Sequence, residues 1–183
     1  MSTGYQIDDQ FGTYFITPII VDWVDVFTRK IYRDIIINCL DFCIKEKALN
    51  VYGYVIMSNH LHLIVRSTNG SLSNTIRDFK KFTANSIINA VENESESRKH
   101  WLLHRFEWNA HTNERSSKYQ VWTHENHAEI IYSYDFFVQK LNYIHENPVR
   151  AGLVELPEEY LYSSAKSLIM HVPGQIKLHD WYE

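Results

Sequence analysis

The period at which apolar residues recur changes several times along the chain, and each change marks an element. Residues 11–23 (FGTYFITPIIVDW) are crowded with β-branched and aromatic side chains, which predicts a strand that Pro18 bends, breaks or confines to an edge. Thr28 can then cap a segment in which Ile31, Tyr32, Ile35, Ile36, Cys39, Leu40 and Cys43 return at three- and four-residue spacings, the repeat of one helix face, as far as Lys45 to Lys47. Residues 51–57 and 60–66 are two short strand-like runs divided by Ser58 and Asn59, a hairpin by length and turn chemistry. Helical spacing resumes over residues 73–91. Ile76, Phe79, Phe82, Ile87 and Val91 form its apolar side, while Arg77, Lys80 and Lys81 project elsewhere. Residues 92–117 are polar and broken by aromatic clusters such as 101–106, so a loop or irregular insertion is expected. Residues 121–131 can supply a further strand. A last helix is expected over 134–146, with Asp135 in its first turn and Pro148 disfavouring helical geometry at Asn147.

Strand, helix, strand, strand, helix, strand is the split βαβ order. It predicts an α+β fold of the ferredoxin-like kind, with an antiparallel sheet and an additional C-terminal helix. The helices starting at Thr28 and Ser73 should share one face of that sheet. One domain over 1–183, with its core at about 11–167, suits a chain of 183 residues with 45% hydrophobic and 22% charged residues and only 6 Gly and 4 Pro. Cys39 and Cys43 lie four apart on one helix side, where two small apolar side chains fit better than a disulfide. With no leader-like start and no apolar run near ~20 residues, a cytoplasmic protein without membrane insertion is expected. The formal net charge of −4 weighs against a simple electrostatic binder of nucleic acid. A local basic stripe or a bound divalent cation would relieve that objection.

Two groups of residues carry chemistry. His60 and His62 stand two apart in a strand, so alternation turns both imidazoles to one sheet face at a separation that a divalent metal can bridge. On spacing alone, one surface histidine and one hydrogen-bonded core histidine is the simpler account. Tyr143 and Asn147 lie four apart, on one helix face if the last turn stays helical. A phenol with an ordinary pKa of ~10 is a poor nucleophile unless a metal or a polarised phosphate assists it, and an amide oxygen nearby can help hold such a metal. Read alone, Tyr143 as a ring packed on the sheet and Asn147 as a helix end before proline is again the simpler account.

Taken together, His60-Leu61-His62 and Tyr-Ile-His-Glu-Asn-Pro-Val-Arg-Ala-Gly-Leu-Val (143–154) resemble the REP-associated tyrosine transposases of the HUH single-strand transposase superfamily. The likeness extends over about residues 13–167, through Tyr-Gly-Tyr-Val-Ile-Met-Ser-Asn-His (52–60), Arg-Asp-Phe-Lys-Lys-Phe-Thr (77–83) and Tyr-Ser-Ser-Ala (162–165). It implies that His60 and His62 bind Mg²⁺ or Mn²⁺, and that Tyr143 attacks a DNA phosphodiester to form a 5′-phosphotyrosine. Asn147 stands where related single-strand transposases carry a glutamine ligand. The implied partner is single-stranded DNA or a hairpin formed by imperfect palindromes, and monomer and homodimer both remain open. Arg77, Lys80, Lys81, Lys118 and Arg150 are candidates for phosphate contacts, and Trp108, Tyr119 and Trp122 for base stacking. His104, His111, His124, His127 and His145 are further possible ligands or proton carriers, most of them expected at the surface. Two other readings compete: a DNA-binding protein of the same fold that has lost cleavage, and a hydrolase of small phosphate esters that uses metal-activated water.

Overall fold

A computed structural model describes residues 6–112 and 118–181. Strand β1 (Thr13–Ile16) is followed by helix α1 (Lys30–Glu46), the hairpin of β2 (Leu49–Ile56) and β3 (Leu61–Ser67), and helix α2 (Leu72–Asn93). Helix α3 (Lys99–His111), the short strand β4 (Glu129–Ile130), helix α4 (Tyr134–Arg150) and helix α5 (Ala165–Met170) complete the order. The sheet runs β2-β3-β1-β4 with every neighbouring pair antiparallel, which is the arrangement expected of the split βαβ fold.

Alternation along the strands divides the interior in two. Ile16, Tyr54, Ile56, Leu61, Leu63 and Val65 pack with the apolar stripes of α1 and α2 on one face. Phe15, Tyr52, Val55 and Ile64 meet Phe137 and Ile144 of α4 on the other. Cys39 and Cys43 are free thiols buried in the first cluster. The packing passes the limits of 11–167, because Ile7 and Ile176 join the first cluster and Trp181 stacks near Phe137 in the second.

Four expectations require correction. Only Thr13–Ile16 of residues 11–23 is a strand; Pro18 has no N–H for the ladder, and the chain turns through a 3₁₀ segment at Val21–Trp23. The expected strand over 121–131 shrinks to Glu129–Ile130, with an isolated bridge from Trp122 to Ile20. Within the expected loop over 92–117, residues 99–111 form α3, while 113–117 lie outside the described residues. The buried side of α3 is the narrow row Leu102, Phe106 and Ala110, which exposed Trp101 and Trp108 hide from a periodicity count. Lastly, α4 does not end near Glu146 but continues through Pro148 to Arg150. Gly152, at φ 68°, provides the left-handed residue that follows its end.

The α2–α3 junction is tied to α1 by Glu96, whose carboxylate accepts from Tyr32 Oη at 2.8 Å, Arg29 Nη1 at 3.1 Å and Arg98 Nε at 3.2 Å. Burial alone would raise this carboxyl, but hydrogen bonds from Arg98, Tyr32 and Arg29 outweigh that and hold it at about 2. A carboxylate depressed from its ordinary ~4.3 contributes stability in full above that value and loses it as the pH falls towards 2. Glu96→Gln should therefore cost about 1–3 kcal/mol at neutral pH, and the gap between wild type and variant should close on acidification. Urea unfolding of both proteins at pH 7 and in steps down to pH 3 checks this.

Candidate active site

The pairing of β1 with β3 builds the first half of the site. Ile16 lies opposite Leu63, so the next step along the ladder sets Thr17 beside His62 on the face shared with Phe15 and Ile64. His60 precedes β3 and is held there by a bridge to Ile19. The two imidazole centroids are 4.8 Å apart, on one face as the spacing predicts. Both rings have their Nδ1 engaged. Asn59 gives its Nδ2 to Trp23 O and Asp25 Oδ1, so its Oδ1 is the acceptor 2.8 Å from His60 Nδ1. Thr17 Oγ1 lies 2.9 Å from His62 Nδ1, and Phe15 stacks on the His62 ring at 5.2 Å. At His60 the Asn59 acceptor holds the proton on Nδ1 and leaves Nε2 as the lone-pair nitrogen, the usual way a protein aims an imidazole at a metal, whereas the Thr17 hydroxyl orients the His62 ring as acceptor or donor according to its tautomer. No motif or spacing in the sequence points to Thr17, and Asn59, though it closes the hairpin turn within the 52–60 motif, has no spacing signal that makes it a partner of His60. A polar β-branched residue inside the apolar run 14–20 is the one available signal for Thr17.

Burial lowers the pKa of His60. It lowers His62 to about 3, with the charges of His60, Lys140 and Arg150 adding to the effect. Both rings are therefore neutral at pH 7. His62 Nε2 is buried without a hydrogen-bond partner. An orphaned ring nitrogen of this kind is costly in a folded interior and is relieved by a ligand, so the pair fits a divalent cation. Among the described residues no three or more His, Cys, Asp or Glu side chains converge on a metal position.

Helix α4 builds the second half. Ser133 caps its start by accepting from Phe136 N, and its apolar side lies on β2 and β3. Gly53 lets the helix come down: a Cβ there would stand 2.5 Å from Leu141 Cδ1. His145 fastens the next turn. Its Nε2 lies 2.8 Å from Ser164 Oγ, which also accepts from Tyr54 N at 3.0 Å. The Tyr-Ser-Ser-Ala segment is thus a clasp between α4 and β2, and His145 is a buried clasp residue whose pKa falls with burial to about 4, not a surface histidine. So seated, α4 brings the Tyr143 ring to 5.2 Å from that of His62 and 6.0 Å from that of Phe15, both edge-on. Tyr143 is 43% exposed. Arg150 places its guanidinium 4.6 Å from the Tyr143 centroid and donates to the Tyr143 carbonyl at 3.0 Å. Asn147 donates from Nδ2 to that same carbonyl at 2.9 Å, leaving Oδ1 as its donor atom for a cation.

The remaining expected residues separate. Arg77 and Lys81 are exposed and line an open pocket of about 340 Å³ with Tyr119 and His124. Lys80 turns inward, donating to Thr123 O at 2.7 Å, Asn126 Oδ1 at 2.8 Å and His124 O at 3.3 Å. An ammonium has three N–H donors, so these acceptors leave none for a phosphate, and the expected phosphate contact is corrected to an internal one. Burial lowers the Lys80 pKa to about 8, still charged at neutral pH. Trp122 is likewise internal, packed on Phe27 with its indole N–H donated to Thr83 Oγ1 at 3.0 Å, and is no base-stacking surface. Trp108 is exposed, and Lys118 lies over the ring of Tyr119. His104, His111 and His124 are exposed.

A histidine pair at the start of an inner strand of a ferredoxin-like sheet, facing a tyrosine carried by a helix on the same side, is the layout implied by the likeness to single-strand transposases. The chain belongs to the IS200-like transposase family, whose model, described as "Transposase IS200 like", matches residues 21–134. That stretch holds both histidines and stops before Tyr143. Among solved structures, the chain is similar to a REP-associated tyrosine transposase bound to a REP hairpin. The two share 16% identity with a TM-score of 0.62, over 98% of this chain and 93% of the other, a likeness of fold. Comparison with curated protein sequences gave no match. Among the described residues no helix is long and apolar enough to cross a membrane.

The seating of α4 yields a direct test. Gly53→Val pushes branched carbon into Leu141, so stability should fall by about 1–3 kcal/mol and Tyr143 should move away from His62. Thermal unfolding, with nuclear Overhauser contacts between the two rings, measures both. Unchanged contacts in a fully stable variant would show that Gly53 does not seat the helix.

Proposed function

We propose that the chain is a metal-dependent single-strand DNA nicking and joining enzyme that acts on hairpin-forming repeats. The observation that carries this reading is the convergence of His60, His62 and Tyr143, from two distant stretches of sequence, onto one partly open sheet face. In this reading the Tyr143 oxygen attacks the scissile phosphorus, a P–O bond to tyrosine forms, and the bond to the 3′ oxygen breaks. The departing strand leaves as a 3′ hydroxyl, taking up a proton. Attack of another 3′ hydroxyl on the phosphotyrosine reverses the exchange and releases the phenol, so joining needs no nucleotide cofactor. His60 and His62, with Asn147 Oδ1, are the residues that would hold Mg²⁺ or Mn²⁺; bound there, the cation would polarise the phosphate and offset its charge. Arg150 supports the same chemistry, since its guanidinium is already stacked on the ring that would receive the phosphate. In this reading exposed Arg77 and Lys81, which line one open pocket, would follow the DNA backbone.

Incubation with single-stranded DNA from the repeats flanking the gene, with and without Mn²⁺, tests the proposal by covalent adduct. Tyr143→Phe keeps the ring and its packing, so it should bind DNA almost normally yet give neither adduct nor cut strand. His60→Ala should abolish cleavage by weakening metal binding and regain part of it at high Mn²⁺, a rescue that the phenylalanine variant should lack. Cutting by Tyr143→Phe at an appreciable rate would assign the chemistry to water or another nucleophile; adduct-free binding by the wild type would leave a DNA-binding protein. Separately, replacing Arg77 and Lys81 with Ala should weaken binding and flatten its salt dependence, by about 0.7 in log–log slope for each phosphate that is no longer neutralised. Titrations at several salt concentrations measure that slope.

A further inference from the structure

Lys80 is costly to bury, and the segment it holds leads to the histidine pair. Its ammonium ties α2 to three acceptors within residues 123–126, a stretch without regular secondary structure. That stretch lies along the outer edge of the chain just after β1. Thr123 N donates to Ile19 O at 2.8 Å, and Thr17 N donates to Asn126 O at 2.7 Å. Thr17 then reaches across the sheet to His62 Nδ1 at 2.9 Å. Asn126 is the common member, with Oδ1 on Lys80 and backbone O on Thr17. Among the described residues no strand covers the outer edge of residues 17–19, so on that edge Thr17 N and Ile19 O take their partners from the 123–126 segment.

We propose that Lys80 is a positioning residue for the histidine pair, acting through Asn126 and Thr17 to fix the ring orientation of His62. Three hydrogen bonds from a largely desolvated cation to neutral acceptors make a strong, directional tie. Without it the 123–126 segment keeps only its backbone bonds to residues 17–19, and the Asn126 carbonyl that anchors the Thr17 N–H, and with it the position of the Thr17 hydroxyl, loses its rigid support. His62 then depends on the stacked Phe15, which fixes the plane of the ring better than its rotation within that plane. Outer partners of metal-binding histidines typically change metal affinity by about 10–100-fold, and a residue one step further out should sit near the lower end. The inference rests on the metal-site reading above only for that last consequence; the ring orientation stands on the hydrogen bonds alone.

The test is made on the DNA-free protein with Lys80→Met, Lys80→Arg, Thr17→Val and the Lys80→Met/Thr17→Val double variant. Amide hydrogen exchange at Thr17 and the ¹⁵N shifts of the His62 ring report position and tautomer without any metal. Lys80→Met should remain folded, speed Thr17 exchange at least about tenfold, and convert His62 from one tautomer to a mixture. Lys80→Arg, which can still donate to carbonyls, should restore most of both. Thr17→Val should alter the His62 shifts as Lys80→Met does, and the double variant should add nothing further, because both act on one path. Mn²⁺ titration should show affinity weakened about tenfold by Lys80→Met. Unchanged Thr17 exchange and His62 shifts in Lys80→Met, or additive effects in the double variant, would overturn the inference. Wild-type protein that binds no Mn²⁺ would instead overturn the metal-site reading, while the ring measurements would still decide the role of Lys80.

Discussion

The register between β1 and β3 is the constraint on which the site depends. Phe15 opposite Ile64 and Ile16 opposite Leu63 put Thr17 next to His62 and turn both histidines away from α1 and α2. Side chains alternate along a strand, so a slip of one residue would carry His62 into the apolar cluster beneath α1 and α2 and bring Leu61 and Leu63 out towards Tyr143. That slip is strongly opposed. Leu61, Leu63 and Val65 are fully buried on the first face, and each such side chain contributes about 1.5–3 kcal/mol when removed from water. The burial that stabilises one face of the sheet thereby specifies the chemistry of the other.

The second half of the site is held by a close approach and by a clasp. A bulge in β2 between Val51 and Gly53 gives that strand its irregular register and presents Gly53 to α4. Absence of a side chain there admits Leu141, and the His145–Ser164–Tyr54 hydrogen bonds keep the next turn from rolling. Tyr143 needs both features, since its own ring is partly open to solvent and makes only edge contacts with Phe15 and His62. Pro148 adds to this. It has no N–H for the Ile144 carbonyl, yet the helix continues, and the neighbouring Tyr143 carbonyl collects the side chains of Asn147 and Arg150. Three of the expected functional residues are gathered at one carbonyl beside that break in the backbone ladder.

Electrostatically the site is a neutral histidine pair with cations around it, in a chain of net charge −4. Burial strips protons from His60 and His62, and Lys140 and Arg150 reinforce this for His62. Lys140 is in turn held by both Glu129 oxygens at 2.9 Å and lies over the Phe15 ring. Positive charge is thus kept near a partly buried face by specific partners, whatever the overall excess of carboxylates. The formal charge describes the surface average and says little about a pocket in which a few oriented groups decide the potential.

Much of this is legible in order along the chain. The strand–helix alternation, the hairpin of β2 and β3, the two-residue spacing of the histidines and the helical register of Tyr143 with Asn147 follow from periods of two and 3.6, which are local properties of the backbone. Helix α3 and the passage of α4 through Pro148 are not legible, because a narrow buried stripe and the neighbours of a proline are defined by what packs against them. The fates of the two lysines in Lys80-Lys81 show the same limit: adjacent and chemically identical, one is exposed and the other is spent on three internal acceptors. Nor does any spacing rule connect Thr17 or Ser164 to histidines 45 and 19 residues away. The sequence by itself determined which residues share a strand or helix face, since that depends on bond geometry over a few residues. Only the tertiary structure decided which faces meet, which charges are buried, and which hydroxyl aims which imidazole, since those depend on packing between segments that are distant along the chain.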